Sequence, residues 1–296
     1  MTSWLKKATI ASQAPKTGVI DILRANIGGY QKARSHKVTH ASDTTKGTFC
    51  PRHVALLLSL EQDKKDEYTG TALEATFAMG RVTAKTLVEE WMGQKAIGNW
   101  ECCRCGVQVS MQAKPHASVD CPSKWGKHRW EYVEPNFVST EFGVSGSIDV
   151  LADMGPKWSV VELKIMKAED WDALLTPLPE HRHRTAMYLQ LIADSDSKYK
   201  DMINLHEGRI LYVSRGYGKK HPAYGDILPF KEFVVTRDDE AVRPYLLKGK
   251  AIKIFKETGK MPAGICKTAL DKPAKGCTTC TACFSGAYPV TQEVLV

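Results

Sequence analysis

The chain has 296 residues and 32.9 kDa, with 43% hydrophobic and 25% charged residues, a globular balance that excludes wholesale disorder. Its longest apolar run, Val54 to Leu58, is far short of the roughly 20 residues that span a bilayer, so no membrane association is expected. The 41 Lys and Arg outnumber the 33 Asp and Glu by eight, which favours a polyanionic partner.

The N-terminal MTSWLKKATIASQ has no apolar core of signal-peptide length. A cytoplasmic location is therefore expected, in a bacterium or, if the chain is viral, in its host. In that reducing setting clustered cysteines hold metal more often than they form disulfides. Residues 1–46 carry eight Lys/Arg against two acids and read as a solvated or DNA-contacting arm. Residues 47–94 form a helical part. One helix follows Cys50-Pro51-Arg52, and a second, from about Thr71 to Met92, keeps Leu73, Phe77, Val82, Leu87 and Trp91 on one face. Residues 95–130 are dense in Cys, His, Trp and Gly and show no apolar periodicity, which reads as an inserted small module.

Residues 131–236 bring short β signals. Strands are predicted over Phe137–Phe142, Ser145–Asp153 and Trp158–Ile165, with a turn at Met154-Gly155-Pro156. A helix from about Pro179 to Asp194, a strand over Arg209–Ser214 and a further strand at Phe230–Thr236 follow. Residues 237–296 hold a basic helix over about Asp238–Thr258 and a tail rich in Cys, Lys and Gly. The predicted order is helix, three strands, helix, strand, an α/β pattern.

The middle strands carry the chemistry. Glu162 and Lys164 alternate on one strand and so point the same way, and antiparallel pairing through the turn brings Asp149 beside them. Two adjacent carboxylates repel unless a cation lies between them, and a hard ion such as Mg²⁺ prefers oxygen ligands. Such an ion acidifies a water while the ammonium stabilises phosphorane charge, an arrangement suited to phosphodiester hydrolysis.

With Gly146-x-x-Asp149 and Glu162-x-Lys164 in place, the sequence resembles the PD-(D/E)xK nuclease superfamily. More narrowly it is similar to RecB-type exonucleases and the iron–sulfur nucleases of CRISPR spacer acquisition, over roughly residues 40–286. The resemblance implies an αβββαβ restriction-endonuclease-like core, catalytic Asp149, Glu162 and Lys164, and Mg²⁺ or Mn²⁺ on the two carboxylates. It also implies a functional helix with a His and a QxxxY pattern. Here His181, Arg184 and Tyr188 share one helical face, with Arg184 at the Gln position; His181 and Arg184 are expected to face DNA, and Tyr188 to serve catalysis. The metal-ligating His that the family carries four residues after a helical Gly is Ala84 here, and Glu74 is the nearby oxygen donor.

The tail holds Cys277-x₂-Cys280-x₂-Cys283, a spacing that suits an iron–sulfur centre, with zinc its rival. The resemblance implies a [4Fe–4S] cluster on Cys50, Cys277, Cys280 and Cys283, with Cys266 as an alternative ligand, clasping the two ends of the core. In the insert, Cys102-x₂-Cys105-Gly106 is the shape of a zinc knuckle, completed by Cys121 and by His128 or His116. Cys103 is the false neighbour. A module this small needs metal for its folding energy. Arg104, Lys124, Trp125, Lys127, Arg129 and Trp130 supply either cations and stacking faces for single-stranded DNA or a small core.

The function expected is a metal-dependent DNA exonuclease acting on ends or single strands in recombination, repair or replication. The alternative is a catalytically weak nuclease-fold module that binds DNA or a recombination or replication protein. No GxxxxGK[ST] motif is present, so the chain carries no ATP-driven motor of that kind.

Overall fold

A computed structural model describes residues 38–60, 71–116, 121–122, 126–216, 220–221, 225–226 and 228–291. The basic arm through residue 37, and Lys124 and Trp125 of the insert, lie outside these residues. The chain divides into two compact units, 1–35 with 65–82 and 36–64 with 83–296.

In chain order the elements begin with β1 (Thr39–His40), α1 (Ala41–Thr44), α2 (Pro51–Ser59) and α3 (Thr71–Thr86), which ends in a π-helical turn at Leu87–Trp91. Next come β2 (Ala96–Cys102), β3 (Gln108–Gln112), β4 (Trp130–Val133), β5 (Asn136–Ser139), β6 (Val144–Ser147), β7 (Val150–Asp153) and β8 (Trp158–Met166). Then follow α4 (Ala168–Ala173), α5 (Pro179–Asp194), β9 (Glu207–Ser214), β10 (Lys220–His221), β11 (Gly225–Asp226) and β12 (Phe230–Thr236). The chain closes with α6 (Asp239–Thr258), α7 (Lys272–Lys275) and α8 (Cys280–Phe284). Within the first unit, Glu74 of α3 is buried and pairs with Arg81 at 2.8 Å.

The larger sheet runs β12-β9-β8-β7-β2-β3, with β4 also paired to β2; a smaller one runs β1-β6-β5. β8 and β9 are parallel, as a crossover through α5 requires, and β7–β8 is an antiparallel hairpin. β8 reads Trp-Ser-Val-Val-Glu-Leu-Lys-Ile-Met and is buried through most of its length, which its β-branched residues suit. Alternate strand residues feed two apolar clusters. Leu151 and Val160 pack with Met187, Leu189, Leu191 and Ile192 of α5, whereas Val150, Ala152, Val161 and Leu163 pack on the other face with Trp100, Cys102, Cys121 and Trp130.

Local chemistry sets the helix ends. Pro179 opens α5 at its first turn, where a missing N–H costs nothing. Asp238 caps α6 by accepting from the Ala241 amide at 2.9 Å, and Gly259, at φ 71°, ends it in the left-handed region.

Two features depart from the sequence reading. The strand expected over Ser145–Asp153 breaks at Ile148-Asp149, so that β6 joins the small sheet and β7 the large one. The insert contains two strands, β2 and β3, and ends as β4 begins; β2 starts inside the large sheet, where Ala96 and Ile97 pair with Ala152 and Leu151 of β7. Residues 83–296 accordingly fall in one compact unit.

Candidate active site and cysteine centres

The sheet register aligns the acidic residues. Val150 pairs with Val161, so the preceding rung sets Asp149 opposite Glu162 on the face covered by α5. Lys164 lies two residues along β8 on the same face. Its Nζ contacts Glu162 Oε1 and lies 3.9 Å from Asp149 Oδ2. The Leu163 amide donates to Asp149 Oδ2 at 2.6 Å, which orients that carboxyl. From α5, Arg184 Nη1 donates to Glu162 Oε1 at 3.2 Å. Asp149, Glu162, Lys164 and Arg184 therefore form one constellation.

Its electrostatics are those of crowded carboxylates. Burial raises the Asp149 pKa well above its ordinary value, Glu162 and Glu134 raise it further, and Lys164 and the Leu163 amide oppose them. Glu162 is 1% exposed, and although Oε1 receives two cationic side chains, Oε2 has no hydrogen-bond partner among the described residues. An unpaired carboxylate oxygen in such a place is costly. A hard divalent cation would satisfy it, and the oxygen-only donor set of Asp149 and Glu162 fits Mg²⁺ or Mn²⁺.

The remaining α5 residues build the wall. His181 Nδ1 lies 2.8 Å from Tyr212 Oη, and burial, then Lys164, lower its pKa to about 4, so the ring is neutral at pH 7. Tyr188 is buried, and burial, then Glu162 and Asp149, hold its phenol well above its usual range. Its ring lies against Gly146. A Cβ at that glycine would fall 2.9 Å from Tyr188 Cδ1 and Cε1 and from Leu191 Cδ1. The glycine of Gly146-x-x-Asp149 is thus a close-approach residue that lets α5 reach the strand.

The insert assembles the donors read from its sequence. Cys102, Cys105, Cys121 and His128 place their ligand atoms within 4.8 Å of one another. Cys102 Sγ lies 3.9 Å from Cys121 Sγ, and Cys105 Sγ 3.6 Å from His128 Nδ1. A tetrahedral zinc with bonds of about 2.3 Å to sulfur spaces its ligands by roughly 3.8 Å, so the set fits a single such ion. Burial raises the Cys102 thiol, but hydrogen bonds from His128 and from the amides of Arg104, Arg129 and Cys105 prevail and bring it down to about 5. The Cys105 thiol is pulled down by the Val107 amide, yet burial and the sulfurs of Cys121 and Cys102 leave it raised. Cys103 and His116 are exposed and outside the group. Trp130 is buried and stacked on His128 at 4.7 Å, so it serves the module's core; it presents no open stacking face.

The tail docks on the helix that follows Cys50. Ala55, Leu56 and Met261 pack with Ala282, Cys283 and Tyr288. Buried Arg52 donates to the carbonyls of Pro262 (3.3 Å), Cys283 (3.1 Å) and Tyr288, and through Nε to Cys283 Sγ at 3.0 Å. His53 Nδ1 lies 3.4 Å from Cys277 Sγ. Cys50 Sγ sits near Gly264, and the Cys266 thiol is raised by burial first, then by Cys50, Asp271, Cys277 and Cys283. Donors to the sulfurs are what thiolate ligands of a cluster need. No three of the tail thiols close to the spacing of the insert's group. Arg52, visible in the sequence only as part of Cys-Pro-Arg, ties the helix after Cys50 to the tail together with His53.

No family model matches the chain, and no curated protein sequence does. Among solved structures it is similar to the protein SSO0001, at 12% identity and a TM-score of 0.40, covering 80% of this chain and 86% of that one. It is similar also to LHK-Exo, an alkaline exonuclease from Laribacter hongkongensis, at 10% identity and a TM-score of 0.40, over 81% of this chain and 93% of that one. LHK-Exo in complex with dAMP gives 14% identity and a TM-score of 0.37 over the same shares. Among the described residues no helix is long and apolar enough to cross a membrane.

Proposed function

We propose that the chain is a divalent-metal-dependent deoxyribonuclease, an exonuclease that hydrolyses phosphodiester bonds at DNA ends or in single strands. The observation that carries this reading is the buried, unpartnered Glu162 Oε2 beside Asp149 and Lys164, on adjacent strands under α5. Asp149 and Glu162 hold a Mg²⁺ or Mn²⁺ ion, which supplies positive charge to the phosphate and acidifies water. The Leu163 amide fixes the Asp149 carboxyl. Lys164 orients the attacking water and offsets charge on the phosphorane. Neutral His181 donates or accepts a hydrogen bond at the rim, and Arg184 brings a guanidinium beside the phosphate. Tyr188 holds α5 against Gly146 and so keeps these groups in place.

The insert holds one structural Zn²⁺ on Cys102, Cys105, Cys121 and His128, supplying folding energy to a segment with little core of its own. The tail thiols with Cys50, or with Cys266 in place of one of them, hold a [4Fe–4S] cluster that reinforces the Arg52 clasp. The chain works in recombination, repair or replication, with DNA as its polyanionic partner.

A second reading rests on Arg184. Its guanidinium occupies a carboxylate oxygen of Glu162, and a chain in which it persists there binds DNA or a recombination or replication protein and cuts poorly. One assay separates the two. Purified protein is incubated with end-labelled linear and circular DNA in Mg²⁺ or Mn²⁺. Cleavage of linear DNA that is lost in Glu162→Gln supports the nuclease. DNA binding without metal-dependent cleavage favours the second reading, and undiminished cleavage by Glu162→Gln overturns the assigned site.

A further inference from the structure

Arg184 meets Glu162 in a way that leaves both groups half satisfied. Its Nη1 donates to Oε1 at 3.2 Å, the same oxygen that Lys164 contacts. A guanidinium paired side-on with a carboxylate sets two donors on two oxygens, and that bidentate form is the strong one. Here Glu162 Oε2 and Arg184 Nε are both buried, and neither has a hydrogen-bond partner among the described residues. One acceptor and one donor thus go unused within a single pair. Such a pair is a poor structural device, because each unpaired buried atom keeps its desolvation cost.

The charge count points the same way. Asp149 and Glu162 bring two negative charges when ionised, and Lys164 and Arg184 bring two positive ones, across contacts no longer than 3.9 Å. The four side chains balance with no ion among them. A divalent cation on the two carboxylates adds two positive charges beside an ammonium and a guanidinium, where burial makes like charges repel strongly. One of the two side chains has to give way. Both retain some exposure, 22% for Lys164 and 15% for Arg184, so their tethers decide which. Lys164 also lies 3.9 Å from Asp149 Oδ2 and donates to the Leu163 carbonyl at 2.9 Å. Among the described residues, Arg184 is bonded to Glu162 alone.

We infer that Arg184 is a placeholder cation, which neutralises Glu162 in the metal-free chain and exchanges with the divalent ion as it binds. The inference rests on the nuclease reading of Asp149 and Glu162. Metal affinity is then set by Arg184 as well as by the ligands, since each ion that binds must break the Arg184–Glu162 pair. The guanidinium released in this way is the one offered to the phosphate.

The test is binding of Mn²⁺ alone to the full chain, read from the paramagnetic resonance of free Mn²⁺, with melting measured with and without the ion. Wild type is compared with Arg184→Gln, Arg184→Lys, Glu162→Gln and a change at the exposed neighbour on α5, Arg182→Gln. Arg184→Gln is expected to bind Mn²⁺ at least about fivefold tighter than wild type, the lower end of usual coupling between two ligands. Without the ion it melts below wild type, because Glu162 has lost a partner, and Mn²⁺ raises its Tm by more than that of wild type. Arg184→Lys keeps a competing charge and binds Mn²⁺ less tightly than Arg184→Gln. Arg184→Gln binding no tighter than wild type, while Glu162→Gln loses the ion, would overturn the exchange and leave the cation site standing. Equal tightening in Arg182→Gln would reduce the effect to net charge, and the exchange would fall with it. Binding by none of the proteins, or binding undiminished in Glu162→Gln, would overturn the cation site itself and the inference built on it.

Discussion

Replacing Gly146 by alanine tests how α5 is held over the carboxylates. The added methyl would stand 2.9 Å from Leu191 Cδ1 and from two ring carbons of Tyr188. Carbon contacts are favourable at roughly 3.5–4.0 Å, so the helix must withdraw by about 0.6 Å or more. Neither neighbour can swing aside, because Leu191 is 0% and Tyr188 5% exposed. Overpacking of this kind costs about 1–3 kcal/mol. At roughly 2–4 °C per kcal/mol for a chain somewhat smaller than this one, Tm falls by something on the order of 5 °C. The same withdrawal moves Arg184, one turn earlier on α5, away from its 3.2 Å contact with Glu162, so activity falls alongside stability. The assay is thermal and urea unfolding of Gly146→Ala, Leu191→Ala and the double variant. Leu191→Ala alone costs about 2–5 kcal/mol, but it empties the space the new methyl needs. The double variant should therefore be less destabilised than the sum by about 1 kcal/mol or more. Additivity within roughly 0.5 kcal/mol, or a Gly146→Ala protein that melts with wild type, would refute the close approach.

Other outcomes follow from the geometry. Cys105→Ser should release one zinc and lower the melting of residues 83–296 in a single transition, measured by calorimetry with metal analysis, because β2 belongs to insert and sheet alike. His181 gives the chain an acid-sensitive component. Its pKa falls from 6.5 to about 4 on folding, so the unfolded chain binds the proton more tightly, and stability is lost as pH falls from about 6.5 towards 4. At its full extent that loss is about 3 kcal/mol. Urea unfolding against pH should flatten over this window in His181→Gln. Arg52→Ala strips donors from three carbonyls and one thiol, and should destabilise the chain by at least about 2 kcal/mol and expose the segment after α6 to limited proteolysis.

Much of this architecture is legible where one physical pattern dominates. β8 declares itself by a run of β-branched residues with Glu162 and Lys164 two apart, and α5 by its proline start and apolar face. The knuckle spacing of Cys102 and Cys105, with Cys121 and His128, is legible because sulfur chemistry constrains it closely. β2 is harder to see. Its Ala-Ile-Gly-Asn-Trp-Glu-Cys buries Ala96, Ile97, Trp100 and Cys102, yet a glycine and an asparagine interrupt the alternation, and its cysteine looks like part of a loop. The break at Ile148-Asp149 is equally hidden, since it depends on two sheets competing for one run of apolar residues.

β2 also limits how the insert can behave. One end of the strand is bonded to β7 at Ile97 and the other carries Cys102, about 17 Å along at 3.4 Å per residue. Ala96 and Ile97 are bonded to β7, Gly98, Trp100 and Glu101 to β3, and Asn99 to Cys102 to β4, so each residue of the strand has a neighbour in the sheet. Cys102, one member of the insert's Cys/His group, is therefore tied through the sheet to the rung of Leu151, two residues from Asp149, whatever the loops between the other members do. A nucleic acid strand touching both the insert and the Asp149–Glu162 pair would be gauged against that length, and shortening β2 by two residues would change it by roughly 7 Å while preserving which side chains face inward.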